Sequence, residues 1–205
     1  MNDTKDENFI GNQTAKKGRG MTPQFIDLNG RRDKAYENAK NHGFHEGGQS
    51  EETYKALVIS ELCEAMEAHR HGKWAKATEF DQRLHDAREI AEKDKDLLFE
   101  GLIKDSVEDE LADTVIRILD VAGKRNEAIV LRRDMIAEDK RHVYNHTVPE
   151  LLYGCMCRVV QSWALRDQLE WIWAICEVIG PDILHFVTLK MDYNSGRPYH
   201  HGKAY

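Results

Sequence analysis

The sequence predicts an all-α fold: a helical bundle of about five to seven helices with a four-helix core. Three observations lead to that expectation. Apolar residues recur at three- and four-residue spacing in one segment after another. Residues that start or stop helices, namely Ser50, Ser106, Pro149 and the Gly180-Pro181 pair, fall at the ends of those segments. No segment has a convincing period-two alternation or hairpin turn chemistry, and there is no internal repeat.

In chain order, residues 1–21 are polar with few apolar groups to bury and read as a disordered tail. The rest, 22–205, reads as a single domain carrying a helical insert at about 126–179. A short lead-in with Phe25, Ile26 and Leu28 precedes a first helix over 31–41, whose Ala35, Tyr36 and Ala39 share a face and which stops at His42-Gly43. Ser50 caps a second helix over 51–71, with Tyr54, Leu57, Val58, Leu62 and Ala65 as its apolar stripe. A heavily charged stretch over 74–99 repeats Ala77, Phe80, Leu84, Ala87 and Ile90 and reads as a half-exposed helical arm. Ser106 opens the next helix, to 123, with Val107, Leu111, Val115, Ile118 and Ala122 along one face. Helices over 126–142, 150–165 and 167–179 make the insert, a last helix runs over 182–191, and a polar tail follows.

Composition limits what such a chain does. Its 205 residues suffice for a substantial core. The formal net charge of −7 argues against a nucleic-acid polymer as partner, since non-specific binding needs a basic surface. The longest apolar stretch, 171–180, is interrupted by Glu177 and too short to span a membrane. No apolar run suited to a signal peptide occurs in the first twenty residues. Cys63, Cys155, Cys157 and Cys176 form no CxxC pair and read as reduced core residues, which points to the cytoplasm.

The chemistry is concentrated in acidic residues. At about 100° per residue, Glu61 falls inside the apolar stripe of its helix, Glu64 on its flank, and Glu67 turns away to solvent. A carboxylate in such a stripe is costly, by several kcal/mol, unless compensated. Glu110 and Asp113 repeat the i, i+3 pattern beside the apolar face of another helix. Two helices packed antiparallel can aim both pairs into one space. Four carboxylates without histidine favour a hard cation, Mg²⁺ with Mn²⁺ as the substitute. The plain alternative is that an ExxE pair is a solvated face and that Glu108 and Asp109 serve the helix dipole. Glu108 projects into its own stripe and stands as a further candidate ligand.

The residues resemble a family. Ser60-Glu61-xx-Glu64-Ala65-x-Glu67 with His69-Arg70-x-Gly72-Lys73, then Glu108-Asp109-Glu110-Leu111-Ala112-Asp113, look like the ExxE…ExxD signature of the MazG-like all-α nucleoside triphosphate pyrophosphohydrolases. The segment Lys190-xx-Tyr193-Asn194-xx-Arg197-Pro198-Tyr199-x-His201-Gly202-Lys203 is similar to the closing motif of many members. The resemblance covers roughly 31–123 and 180–203. It departs from the family in a longer gap between the acidic pairs and in the helical insert.

The resemblance implies Mg²⁺-dependent hydrolysis of a nucleoside or deoxynucleoside triphosphate to the monophosphate and pyrophosphate, by water attack at the α-phosphorus. Glu61, Glu64, Glu110 and Asp113 would hold the metal, with Glu61 and Glu64 as catalytic carboxylates and Glu61 the better placed to orient or deprotonate the water. Lys190 and Arg197, with Asn194 as neutral donor, would meet the phosphates. Asn38 and Phe44 are candidate sugar or base contacts, although core or surface packing is the favoured role for both. Lys73 is a substrate candidate whose ordinary role would be to complement a helix C-terminus. The broad apolar helix faces suggest a homodimer or homotetramer. Two other readings remain. One is a non-catalytic helical oligomerisation or interaction module. The other is a di-iron carboxylate bundle, which needs two Glu-x-x-His motifs where this chain offers a lone Asp139-x-x-His142.

Overall fold

A computed structural model describes residues 23–87 and 90–197. The expected tail over 1–21 and the end of the closing motif, 198–203, lie outside the described residues. Among the described residues the fold is all-α with one small sheet. The elements are β1 (Phe25–Asp27), α1 (Asn29–Asn41), α2 (Glu51–Arg70), α3 (Ala77–Asp86), α4 (Glu92–Leu102), α5 (Val107–Lys124), β2 (Val130–Arg132), α6 (Arg133–Val143), α7 (Val148–Gln161), α8 (Leu165–Ile179) and α9 (Ile183–Ser195).

The axis of the molecule is α5, which packs against α1, α2, α8 and α9. Its apolar positions Val107, Leu111, Val115, Ile118 and Ala122 are all buried. Ser106 Oγ accepts the Asp109 N–H at 3.2 Å and so caps it. At the other end, α1 crosses so closely that a Cβ on Gly123 would stand 2.4 Å from Tyr36 Cβ; only glycine fits. Helix α2 is capped by Ser50, whose Oγ accepts the Thr53 N–H at 3.3 Å, and it buries Tyr54, Val58, Leu62 and Ala65 against α5 and α7. Gly180, at φ 109°, ends α8 in the left-handed region, and Asp182 caps α9 by accepting the Leu184 N–H at 3.1 Å.

Four expectations are corrected. First, strands exist: β1 and β2 pair antiparallel with Ile26 opposite Leu131, both buried. At three residues each they are too short to display an alternation. Second, the stretch over 74–99 is two helices, α3 and α4. They fold back on each other so that Phe80 and Phe99 meet edge-to-face at 6.4 Å and Phe99 stacks on Tyr193 at 4.5 Å, covering α9. Third, α6 begins at Arg133 rather than 126, because Asn126 at φ 51° turns the chain out of α5 and sends it into β2. Fourth, α9 continues to Ser195, so Asn194 is helical rather than in a tail.

The insert is built into the body. Helix α6 packs on α8, α8 on α5, and α7 on α2. Cys155 and Cys176 are buried in it, and burial pushes the Cys155 thiol up to about 12. Cys157 is half-buried and Cys63 exposed, so the expectation of core cysteines fails for Cys63. Among the described residues no single helix is long and apolar enough to cross a membrane.

Candidate metal centre

Helices α2 and α5 bring their acidic faces together beneath a cleft of about 250 Å³. Carboxylate oxygens of Glu61, Glu110 and Asp113 all lie within 4.8 Å of one another. Glu61 and Glu110 are buried and Asp113 is half-buried. Three of the four expected ligands thus converge. Glu64 lines the same cleft but is exposed, stands outside the converged group, and receives the Ser60 hydroxyl at 3.5 Å. Its flank position on α2 carries it to the rim, apart from the three carboxylates that converge.

The electrostatics follow from crowding. Burial, and then the nearby Asp113 carboxylate, push Glu110 up to about 8. Burial and Asp113 also raise Glu61, against the pull of Arg117, whose Nε donates to Glu61 Oε1 at 3.0 Å. Asp109, 1% exposed, is pushed up to about 6 by burial and by Asp113 although Lys190 opposes the shift. Lys190 Nζ stands 2.7 Å from Asp109 Oδ2 and 2.8 Å from Asp113 Oδ2. Burial would lower the Lys190 ammonium, but the two aspartates more than reverse this and raise it. The centre therefore contains four carboxylates, Glu61, Asp109, Glu110 and Asp113, against two cations, Arg117 and Lys190. With all six ionised, two negative charges are left over.

The other expected residues divide. Asn38, Asn194 and Arg197 line the cleft. Asn194 is 8% exposed and its Oδ1 is buried with no hydrogen-bond partner. Lys190 is already engaged: its Nζ pairs with buried Asp109 and half-buried Asp113. Lys73 does not line the cleft; it pairs with Asp105 at 3.3 Å on the surface. Glu108 does not line the cleft; its Oε2 accepts the Ala75 N–H at 2.9 Å.

Several residues of the site escaped the sequence reading. Asp109 looked like a dipole partner. Arg117 lies four residues after Asp113 on α5, and that spacing could have nominated it. Lys104 and Asp105 line the cleft mouth, set there by a left-handed turn at Asp105, φ 57°. At the opposite end Asp120, whose Oδ1 is 2.7 Å from His45 Nε2, joins the expected Phe44, whose ring is 5.8 Å from the Arg117 guanidinium. Lys124 donates to Tyr54 Oη at 2.9 Å, and His45 bridges Tyr54 Oη, 3.2 Å from its Nδ1, to Asp120.

The donor set fits a hard dication: all-oxygen, largely buried, with more carboxylates than cations, and with an orphaned amide oxygen at the cleft wall. Among the described residues, neither group of side chains able to hold a metal contains histidine or cysteine, which disfavours iron or zinc. No family model, no curated protein and no solved structure matches this chain.

Proposed function

We propose that the chain is a Mg²⁺-dependent nucleoside triphosphate pyrophosphohydrolase, of the MazG-like kind its motifs resemble. The observation that carries this reading is the convergence of Glu61, Glu110 and Asp113 oxygens, from two helices, within 4.8 Å of one another in a cleft. Bundles that gather carboxylates in this way are ordinarily metal sites, because apolar side chains of similar volume would stabilise the fold at least as well.

Glu61, Glu110 and Asp113 would hold the metal, with Glu64 at the rim of the same cleft. Such an ion would supply offset of phosphate charge and a lowered pKa for the attacking water. The protein's own residues do the rest. Arg117 fixes the orientation of Glu61, the most buried carboxylate of α2 and the candidate base for that water. Arg197 and Lys104 line the cleft and would receive the phosphates in place of Lys190 and Lys73, Lys104 giving up its 3.4 Å pairing with Asp105 to do so.

The cleft has a direction. Glu110, Asp113, Arg117 and Asp120 share one face of α5, and ten residues of helix span about 15 Å. The end nearest the α5 N-terminus, with Lys104, suits the outgoing pyrophosphate. The end with Phe44, Asn38 and Asp120 suits the nucleoside, whose base finds an aromatic ring and fixed hydrogen-bonding groups there. Exposed Tyr144, Tyr153 and Val160 on the insert give the chain apolar surface consistent with a homodimer or homotetramer.

The test is a substrate panel. The full chain with Mg²⁺ and the common NTPs and dNTPs should yield monophosphate plus pyrophosphate. Inorganic phosphate as the sole product contradicts attack at the α-phosphorus. A protein that neither binds Mg²⁺ nor hydrolyses any nucleotide is the helical interaction module instead.

A further inference from the structure

Two groups of carboxylate oxygens lie side by side at the start of α5. Glu61, Glu110 and Asp113 form one; Asp105, Asp109 and Glu110 form the other, its oxygens also within 4.8 Å of one another. Glu110 belongs to both. A carboxylate shared between two adjacent cation positions is the layout of two-metal sites, whose ions stand about 3.5–4 Å apart. Lys190 interrupts that layout. Its Nζ bonds Asp109 Oδ2 at 2.7 Å and Asp113 Oδ2 at 2.8 Å, one oxygen from each group. Its side chain is 6% exposed and that of Asp109 is 0% exposed, so the ammonium is enclosed.

The second group is otherwise prepared for a cation. Asp109 Oδ2 accepts the Asp105 N–H at 2.9 Å, which ties the cleft-mouth turn to the group. Asp109 Oδ1 is buried without a hydrogen-bond partner, an acceptor with nothing on it. An orphaned carboxylate oxygen at that depth is costly and needs a reason.

We propose that the Lys190 ammonium is the resident second cation of this centre, so that each nucleotide-free chain binds one divalent ion, at Glu61, Glu110 and Asp113, where the carboxylate layout would otherwise accept two. The inference rests on reading the carboxylates as a metal centre. An ammonium supplies charge and three donors but no coordination positions, so it can hold Asp109 and Asp113 in place without polarising substrate. Lys190 is thereby a positioning residue that acts through Asp113. Substitution by a neutral side chain of similar length opens the second position to a divalent ion; arginine keeps it closed.

The experiment counts Mn²⁺ bound per nucleotide-free full chain by equilibrium dialysis, with paramagnetic resonance reporting spin coupling between neighbouring ions. The wild type and K190R are expected to bind one ion each. K190M is expected to bind two, with the broadened resonance of a coupled pair. K190Q, polar, neutral and one atom shorter, is a second variant, and two ions are expected there as well. Two ions in the wild type, or one in a folded K190M or K190Q, overturn the inference while leaving the pyrophosphohydrolase reading intact. A wild type that binds no ion overturns both.

Discussion

The two halves of the molecule bury polar groups in opposite ways. In the half made by α6, α7 and α8, buried Gln168 and Glu170 are satisfied by the main chain. Gln168 Nε2 donates to the Ser162 carbonyl at 2.9 Å, and Glu170 Oε1 accepts the Arg132 N–H at 2.8 Å. Around them Leu165, Leu169, Ile172, Trp173 and Ile175 form an apolar core. In the half made by α1, α2, α5 and α9, the carboxylates of Glu61, Asp109, Glu110 and Asp113 crowd one another, and Arg117 and Lys190 pair with three of them. Single carboxylates tied to backbone are structural devices, since each fixes one strand or helix end. A cluster of like charges stabilises nothing by itself, so its presence is explained by what it binds.

The largest effect expected from this contrast is on Arg117. R117M strands Glu61 in a buried setting and should cost about 3–5 kcal/mol of stability in metal-free protein, measured by urea denaturation. E61Q/R117M should recover most of that loss while turnover stays lost. If R117M is neutral, the ion pair is not what holds the cluster. In the other half, L169A should cost about 2–5 kcal/mol through cavity formation, yet leave Mg²⁺ affinity of the folded protein unchanged. A parallel loss of metal binding would show the halves to be coupled.

Metal should stabilise one half by mass action. At a hundred-fold excess over its dissociation constant, Mg²⁺ should add about 2.7 kcal/mol to the wild type and nothing to D113N, read as a shift in thermal midpoint.

The pH dependence has a definite sign. Glu110 titrates near 8 in the folded chain and near 4.5 when unfolded, so between those values the folded state holds the extra proton. Stability of the metal-free protein therefore falls as pH rises from about 4.5 to about 8. Mg²⁺ must displace the same proton, so its binding strengthens over that window and releases a proton, a quantity calorimetry in buffers of different ionisation heat reports. The smallest effect is at the surface: K73A, which breaks an exposed pair with Asp105, should change stability by no more than about 1 kcal/mol and leave turnover alone.

Much of this was legible before the structure. Helical periodicity located the buried faces of α2 and α5, and a carboxylate inside an apolar stripe singled out Glu61. What periodicity cannot resolve is which of two neighbouring positions a tertiary neighbour covers. Glu64 and Glu110 look alike in sequence, yet α9 and the α4–α5 turn close over Glu110 while Glu64 stays open to water. The partner of a long side chain is equally unreadable. Lys190 looked free because its partners, Asp109 and Asp113, lie some eighty residues away. The strands were invisible because three residues cannot display an alternation. The break between α3 and α4 was masked by a three-four repeat of apolar residues that runs past the end of α3 through Ala87 to Ile90.

The most direct measurement is anomalous scattering from a crystal of the full chain soaked in Mn²⁺. A peak is expected within coordination distance, about 2.0–2.3 Å, of oxygens from Glu61, Glu110 and Asp113 together. A fully soaked crystal with no peak there, or with a peak held only by exposed residues such as Glu67, would contradict the reading of these carboxylates as a metal centre.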